Sequence, residues 1–188
     1  MPKNNAKQPI CAVCVLKSSH DSNNNADNAV NAVNAVVYLT EDFANKCTKI
    51  EISASGLKKG AHGFHIHESG DLTDNCMSLC AHFNPHGVSH GGPNDTSKNR
   101  HVGDLGNIVA NNGGMANVII MDKLVKLRGK NSVIGRSMII HEDPDDLGKG
   151  GFPDSKTTGH AGKRIACGVI GYSKSMAVSV AGNKTNKK

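Results

Sequence analysis

Hydrophobic and polar positions along this chain fall into short runs of period two, with few long stretches of helical period. Cys11-Ala12-Val13-Cys14-Val15-Leu16 is the first run and ends at Ser18-Ser19-His20-Asp21. Val36-Val37-Tyr38-Leu39 is the next. Lys49-Ile50-Glu51-Ile52-Ser53 alternates as a half-buried strand does, and so does the stretch from Gly60 to Glu68. Strand-like runs resume at 105–110, 116–121 and 133–141, and a last one covers 164–170. Regular strands separated by long connections describe an all-β antiparallel sandwich whose loops carry the chemistry.

The connections are uneven. Ser22 to Val36 is low in complexity, with Asn-Ala-Val three times from Asn28. A period of three fits neither a helix face nor strand alternation. It reads as an expanded first hairpin loop (insertion 22–35) whose last repeats merge into the second strand; a separate binding module would have too little sequence for a core. Residues 69–103 show no strand pattern, only Gly, Pro, Asn, Asp, His and Cys in number, and 142–163 form a second long loop. Connections of that length inside a domain are usually functional or disordered.

Composition narrows the picture. A length of 188 residues suits one domain, and 21 Gly with no Trp favours strands and tight turns. No run approaches the roughly 20 apolar residues of a membrane helix. The polar start Met-Pro-Lys-Asn-Asn-Ala-Lys-Gln lacks the apolar core of a signal peptide, so a cytoplasmic protein with no membrane partner is expected. The net charge of +6 points less to nucleic acid than it first suggests. Lys3, Lys7, Lys174, Lys184, Lys187 and Lys188 lie in terminal segments without acids, leaving 16 basic residues against 16 acidic ones in 8–173. Neither a basic face nor a reading helix is visible, so no nucleic-acid partner is expected. A flexible arm (1–9), a domain (10–173) and a basic, disordered tail (174–188) are predicted.

The candidate chemistry is metal binding. On a strand, His65 and His67 project to one side while Phe64 and Ile66 face the core. One His-x-His pair is weak evidence. Here His82, His90 and His101 occupy the long loop, Asp104 follows His101 by three, and His141 ends a later run. Imidazole suits copper and zinc, and a carboxylate completes a tetrahedral zinc set.

These residues also carry a resemblance. Gly63-Phe64-His65-Ile66-His67-Glu68, His82-Phe83-Asn84-Pro85, His90-Gly91-Gly92-Pro93 and Arg100-His101-Val102-Gly103-Asp104-Leu105-Gly106-Asn107 are similar to motifs of the copper/zinc superoxide dismutase family. So are His141-Glu142, Asp145-Asp146-Leu147-Gly148-Lys149-Gly150 and Ala166-Cys167-Gly168-Val169-Ile170-Gly171. The likeness runs in order from about Ile10 to Ser173. It implies an immunoglobulin-like Greek-key β-sandwich or flattened barrel of eight antiparallel strands. It implies one copper on His65, His67, His82 and His141, and one zinc on His82, His90, His101 and Asp104, with His82 shared. Asp145 would link a copper histidine to a zinc histidine, Arg164 would attract superoxide beside copper, and Thr158 would narrow the channel. A Cys76–Cys167 disulfide is implied as well, as are a homodimer through Gly70-Asp71, Ile134-Gly135 and Gly168–Tyr172, and a copper-delivery chaperone as a partner.

Other residues are read more plainly. His62 matches a family histidine that is not a ligand, and His20, His86 and His160 are expected on the solvated surface. Cys11 and Cys14 sit three apart on a strand, on opposite faces, and are expected as small buried hydrophobes. Cys80, two residues before His82, is either an inert loop thiol or one that exchanges with the disulfide. The resemblance is imperfect near Thr158: Pro153 stands where the family has an acid, Lys156 is shifted by one, and Thr157 takes the lysine's position. Two rivals remain, a copper-carrier domain and an interaction domain with decayed sites. The complete ligand set speaks against both.

Overall fold

Alternation decides which side of each strand turns inward. The computed structural model describes residues 9–19 and 32–174. Ala12, Cys14 and Leu16 on β1 (Ile10–Ser18), Ala35, Val37 and Leu39 on β2 (Asn34–Asp42), and Ile50, Ile52 and Ala54 on β3 (Cys47–Ser55) all bury against one core. The remaining strands are β4 (Gly60–His67), β5 (Asp104–Ala110), β6 (Ala116–Asp122), β7 (Ser137–His141) and β8 (Arg164–Tyr172). They form one antiparallel sheet in the order β5-β4-β7-β8-β1-β2-β3-β6. Its end strands β5 and β6 approach each other, so the sheet curls into a nearly closed barrel, as the expected flattened barrel of eight strands requires. The order β4-β7-β8 makes a Greek-key crossing and carries the site.

Two of these strands differ from the rest. Phe64 and Ile66 on β4, with Met138 and Ile140 on β7, face the core, yet His65, His67, Ile139 and His141 on the other side are buried too. The long loops 69–103 and 142–163 cover that outer face, which is where metal-binding side chains need shelter. A strand was expected from Val133, but β7 begins only at Ser137. Val133 is buried and reads as strand, whereas Gly135 takes φ +80° and Arg136 N donates back to Val133 O, making a turn. The second loop holds a short helix that the sequence did not announce, α1 (Ser155–Thr158), ended by left-handed Gly159. A single 3₁₀ turn covers Met77–Leu79.

Cys76 and Cys167 form the disulfide, tying the first long loop to β8 across 91 residues. Closing a loop of that size stabilises by roughly 4–5 kcal/mol in the chain-entropy picture. Leu79 and Ile139 pack with the bridge in a small satellite core. Cys11, Cys14, Cys47 and Cys80 are free. Cys14 is the buried hydrophobe expected, its thiol pushed up to about 12 by burial, while Cys11 is only half-buried. No helix among the described residues is long and apolar enough to cross a membrane. Residues 1–8 of the N-terminal arm, His20, most of the Asn-Ala insertion and residues 175–188 of the C-terminal tail lie outside the described residues.

Candidate metal centre

Three strands and one loop bring the predicted residues together. β4 supplies His65 and His67, the end of β7 supplies His141, and the covering loop supplies His82, His90 and His101 beside Asp104 at the start of β5. His67 and His82 pair as an isolated β-bridge, and Phe83 N donates to Ile66 O at 2.8 Å, so the loop is stitched onto β4 at the site. Glycines allow this closeness. A Cβ at Gly103 would lie 2.1 Å from Ile66 O, and one at Gly159 would lie 2.0 Å from Asp145 Oδ1.

The histidines converge in two overlapping sets. One ring nitrogen each from His65, His67, His82 and His141 lie within 4.8 Å of one another; so do atoms of His82, His90, His101 and Asp104. All seven residues are buried. In the first set, His65 Nδ1, His67 Nε2, His82 Nε2 and His141 Nε2 are buried without a hydrogen-bond partner. Four orphaned nitrogens aimed at one point cost free energy unless a cation occupies it. In the second set Asp104 Oδ1 faces His82 Nδ1 at 2.9 Å, His90 Nδ1 at 2.9 Å and His101 Nδ1 at 3.0 Å. A tetrahedral zinc site with bonds near 2.0 Å puts neighbouring ligands about 3.3 Å apart, so little rearrangement is needed. Both donor sets fit their metals.

The outer hydrogen bonds explain why the lone pairs point inward. His67 Nδ1 donates to Cys80 O (3.0 Å), His141 Nδ1 to Gly162 O (3.2 Å) and His101 Nε2 to Val88 O (3.0 Å). His65 Nε2 donates to Asp145 Oδ2 (2.9 Å) and His90 Nε2 to Asp145 Oδ1 (2.8 Å). Each acceptor fixes one N–H and leaves the other nitrogen bare toward the site. His82 is the exception: it has no outer acceptor, and its two nitrogens belong one to each set. Asn107, quoted in a motif but given no role, clamps Asp145: its Nδ2 donates to Asp145 O at 2.8 Å and its Oδ1 accepts from Asp145 N at 2.7 Å. No sequence spacing could have revealed a pair 38 positions apart.

Protonation follows the same architecture. Burial pushes His65 and His67 well below the ordinary 6.5, takes His141 down to about 4 and also lowers His82. His90 moves the other way: burial opposes its charge, but hydrogen bonds to Asp104 and Asp145 outweigh it and raise it to about 9. Burial likewise opposes the Asp104 carboxylate, yet hydrogen bonds from His101, His82 and His90 hold it well below the usual range.

The remaining predicted residues are partly gathered. Arg164 opens β8, and its Nη1 donates to Cys76 O at 2.7 Å and its Nη2 to Cys80 O at 2.6 Å. Since Cys80 O also accepts from His67 Nδ1, one carbonyl holds both groups. Thr158 is exposed at the end of α1, its Oγ1 donating back to Asp154 O at 3.3 Å. Lys156 lies on the His90 side, where its carbonyl accepts His90 N at 2.8 Å. His62 is structural, with ring nitrogens against His141 O and Lys58 O. His86 is exposed as expected; His160 is exposed but engaged, with Asp154 and Phe152.

Comparison with known proteins gives the same answer from a different direction. The family model for copper/zinc superoxide dismutase matches residues 33–170. A protein of Paramecium bursaria Chlorella virus 1 described as "Superoxide dismutase [Cu-Zn]" is 56% identical over 138 residues, covering 72% of this chain and 73% of that protein. With the family match running from the start of β2 into β8 and taking in both donor sets, the chain belongs to the copper/zinc superoxide dismutase family.

Proposed function

We propose that the chain converts two superoxide anions and two protons to O2 and H2O2, within a domain spanning 10–173. His65, His67, His82 and His141 would hold copper, and His82, His90, His101 and Asp104 zinc. Bound copper supplies one-electron redox chemistry, and zinc a fixed positive charge beside it. The observation carrying this reading is the His82 ring, whose two nitrogens serve two donor sets and no outer acceptor.

The residues divide the remaining work. His82 Nε2 is the atom suited to take up a proton and surrender it to the reduced product, because its other nitrogen stays committed to the zinc set. Arg164 is a permanent cation, half-buried and pinned by two carbonyls, which suits it to attract and orient a small anion. Thr158 would narrow the approach. Asp145 holds His65 and His90 in the required tautomers. With Pro153 and Lys156 both departing from the family pattern, the long-range steering charges differ from those of relatives; the chemistry does not.

We further propose a homodimer. Gly70 packs against Gly135 and Val169, and Val15 and Val169 are exposed on the same outer face of the paired strands β1 and β8, which supports one shared apolar face. A copper-delivery chaperone as donor and a cytoplasmic setting complete the proposal.

The bridging role is tested by His82→Ala. It leaves three histidines for copper, and two with Asp104 for zinc, so both ions remain bound. Superoxide decay followed by pulse radiolysis should slow, most at high pH where solvent protons are scarce. Unchanged rates and an unchanged pH profile would rule the role out.

A further inference from the structure

The segment 159–162 forms the wall behind both donor sets. Gly159 abuts Asp145 and His90 Nε2, Ala161 lies against Gly63, which itself borders the His65 ring edge, and Gly162 O accepts His141 Nδ1. Backbone bonds fasten it on one side, with Asp146 N donating to Gly159 O at 2.8 Å and Asp143 N to Ala161 O at 3.0 Å. What fastens it on the solvent side is a set of side chains that includes His160, expected only as a solvated surface residue.

His160, at φ +50°, folds back over the start of the same turn. Its ring stacks on Phe152 with centroids 3.8 Å apart and planes 11° from parallel. Its Nδ1 donates to Asp154 Oδ1 at 2.7 Å. Asp154 occupies the N-cap of α1 but caps no backbone amide with its side chain; the carboxylate is turned to His160 instead. Asp154 O also takes the Thr157 and Thr158 amides. Phe152 is in turn tied inward, its N donating to Ser155 Oγ at 2.9 Å while Ser155 Oγ donates to Asp146 Oδ2. A half-exposed aromatic stack and a strained, left-handed histidine are unfavourable choices for an ordinary surface loop. Here they close the turn.

We propose that Phe152, Asp154 and His160 form a clasp that keeps Gly159 pressed onto the Asp145–His90 link, making His160 a positioning residue for zinc retention. The proposal rests on the metal assignment above. Opening the clasp frees Gly159, lets solvent reach His90 Nε2 and Asp145, and loosens the zinc set while the copper histidines on β4 and β7 stay held by the barrel.

The experiment uses the chain loaded with copper and zinc and follows zinc release to an excess of a colorimetric chelator, with the copper electron paramagnetic resonance spectrum recorded in parallel. Phe152→Ser and His160→Ser should each speed zinc release about five- to tenfold, and the double variant little more, because either change opens the same clasp. Phe152→Trp, which keeps the stack, should restore the parental rate. A purely structural role would lower the melting temperature without this selective zinc loss or the rescue. Parental release rates in both serine variants, or equal loss in Phe152→Trp and Phe152→Ser, would overturn the clasp. A parental chain that holds no zinc would instead overturn the metal assignment beneath it.

Discussion

Removing the Asp145 carboxylate should weaken both metal sets without touching a single ligand. Its two oxygens accept from His65 Nε2, His90 Nε2 and the Leu147 amide at 2.8–2.9 Å, in a place that is 4% exposed. Asp145→Ala leaves all three donors without their acceptor. Each buried donor left unpaired costs about 1–3 kcal/mol unless water enters, and neither ring then has anything to fix its tautomer. Losing such an outer partner typically costs 10–100-fold in metal affinity, or about 1.4–2.7 kcal/mol. Zinc should suffer more than copper, because His90 also owes its raised basicity partly to Asp145. Asp145→Asn is no rescue: its amide oxygen can accept from one ring, but its NH2 then faces the other N–H. The assay is competition of the zinc-loaded chain against a colorimetric chelator, with circular dichroism to verify the fold. Zinc affinity within twofold of the parent in a folded Asp145→Ala chain would refute this account of the link.

Two further predictions concern charge. Arg164→Glu should slow superoxide removal at least tenfold at low ionic strength while copper stays bound, as judged by stopped-flow decay and elemental analysis; unchanged turnover would show that Arg164 does not guide the anion. The metal-free chain should be most stable near pH 6.5, measured by denaturant melts across pH. His141, lowered from 6.5 to about 4, contributes stability that is lost as pH falls through that window, and His90, raised to about 9, contributes stability that is lost as pH rises from 6.5 through 9. A flat profile from pH 4 to 9 would show that neither ring sits in the environment described.

The strands were legible because alternation is a local property: Ile50 and Ile52 bury while Lys49 and Glu51 do not. The residues of the two donor sets were legible through their motifs, since His-x-His on a strand and a histidine-rich loop each leave a mark in sequence. What stayed hidden depends on distant partners. Asn107 holds Asp145 and the fully buried Arg100 pairs with Asp122, and neither pairing is announced by spacing. Residues 133–136 misled because Val133 and Ile134 look like strand, while the deciding feature is the backbone of Gly135. Helix α1 has only four residues, too few for any helical period, and its amides are met by the Asp154 carbonyl. His160 lies on the surface as expected, but its stack on Phe152 leaves no mark in the spacing of the sequence.

The central claim is that two overlapping donor sets share His82 and serve superoxide chemistry. The most direct measurement is elemental analysis of the chain after loading with both metals, paired with pulse-radiolytic superoxide decay on the same sample. The account predicts one copper and one zinc per chain, and decay that is catalytic and depends on copper. A single class of bound metal after loading, or a fully loaded chain that leaves superoxide decay at its spontaneous rate, would contradict it.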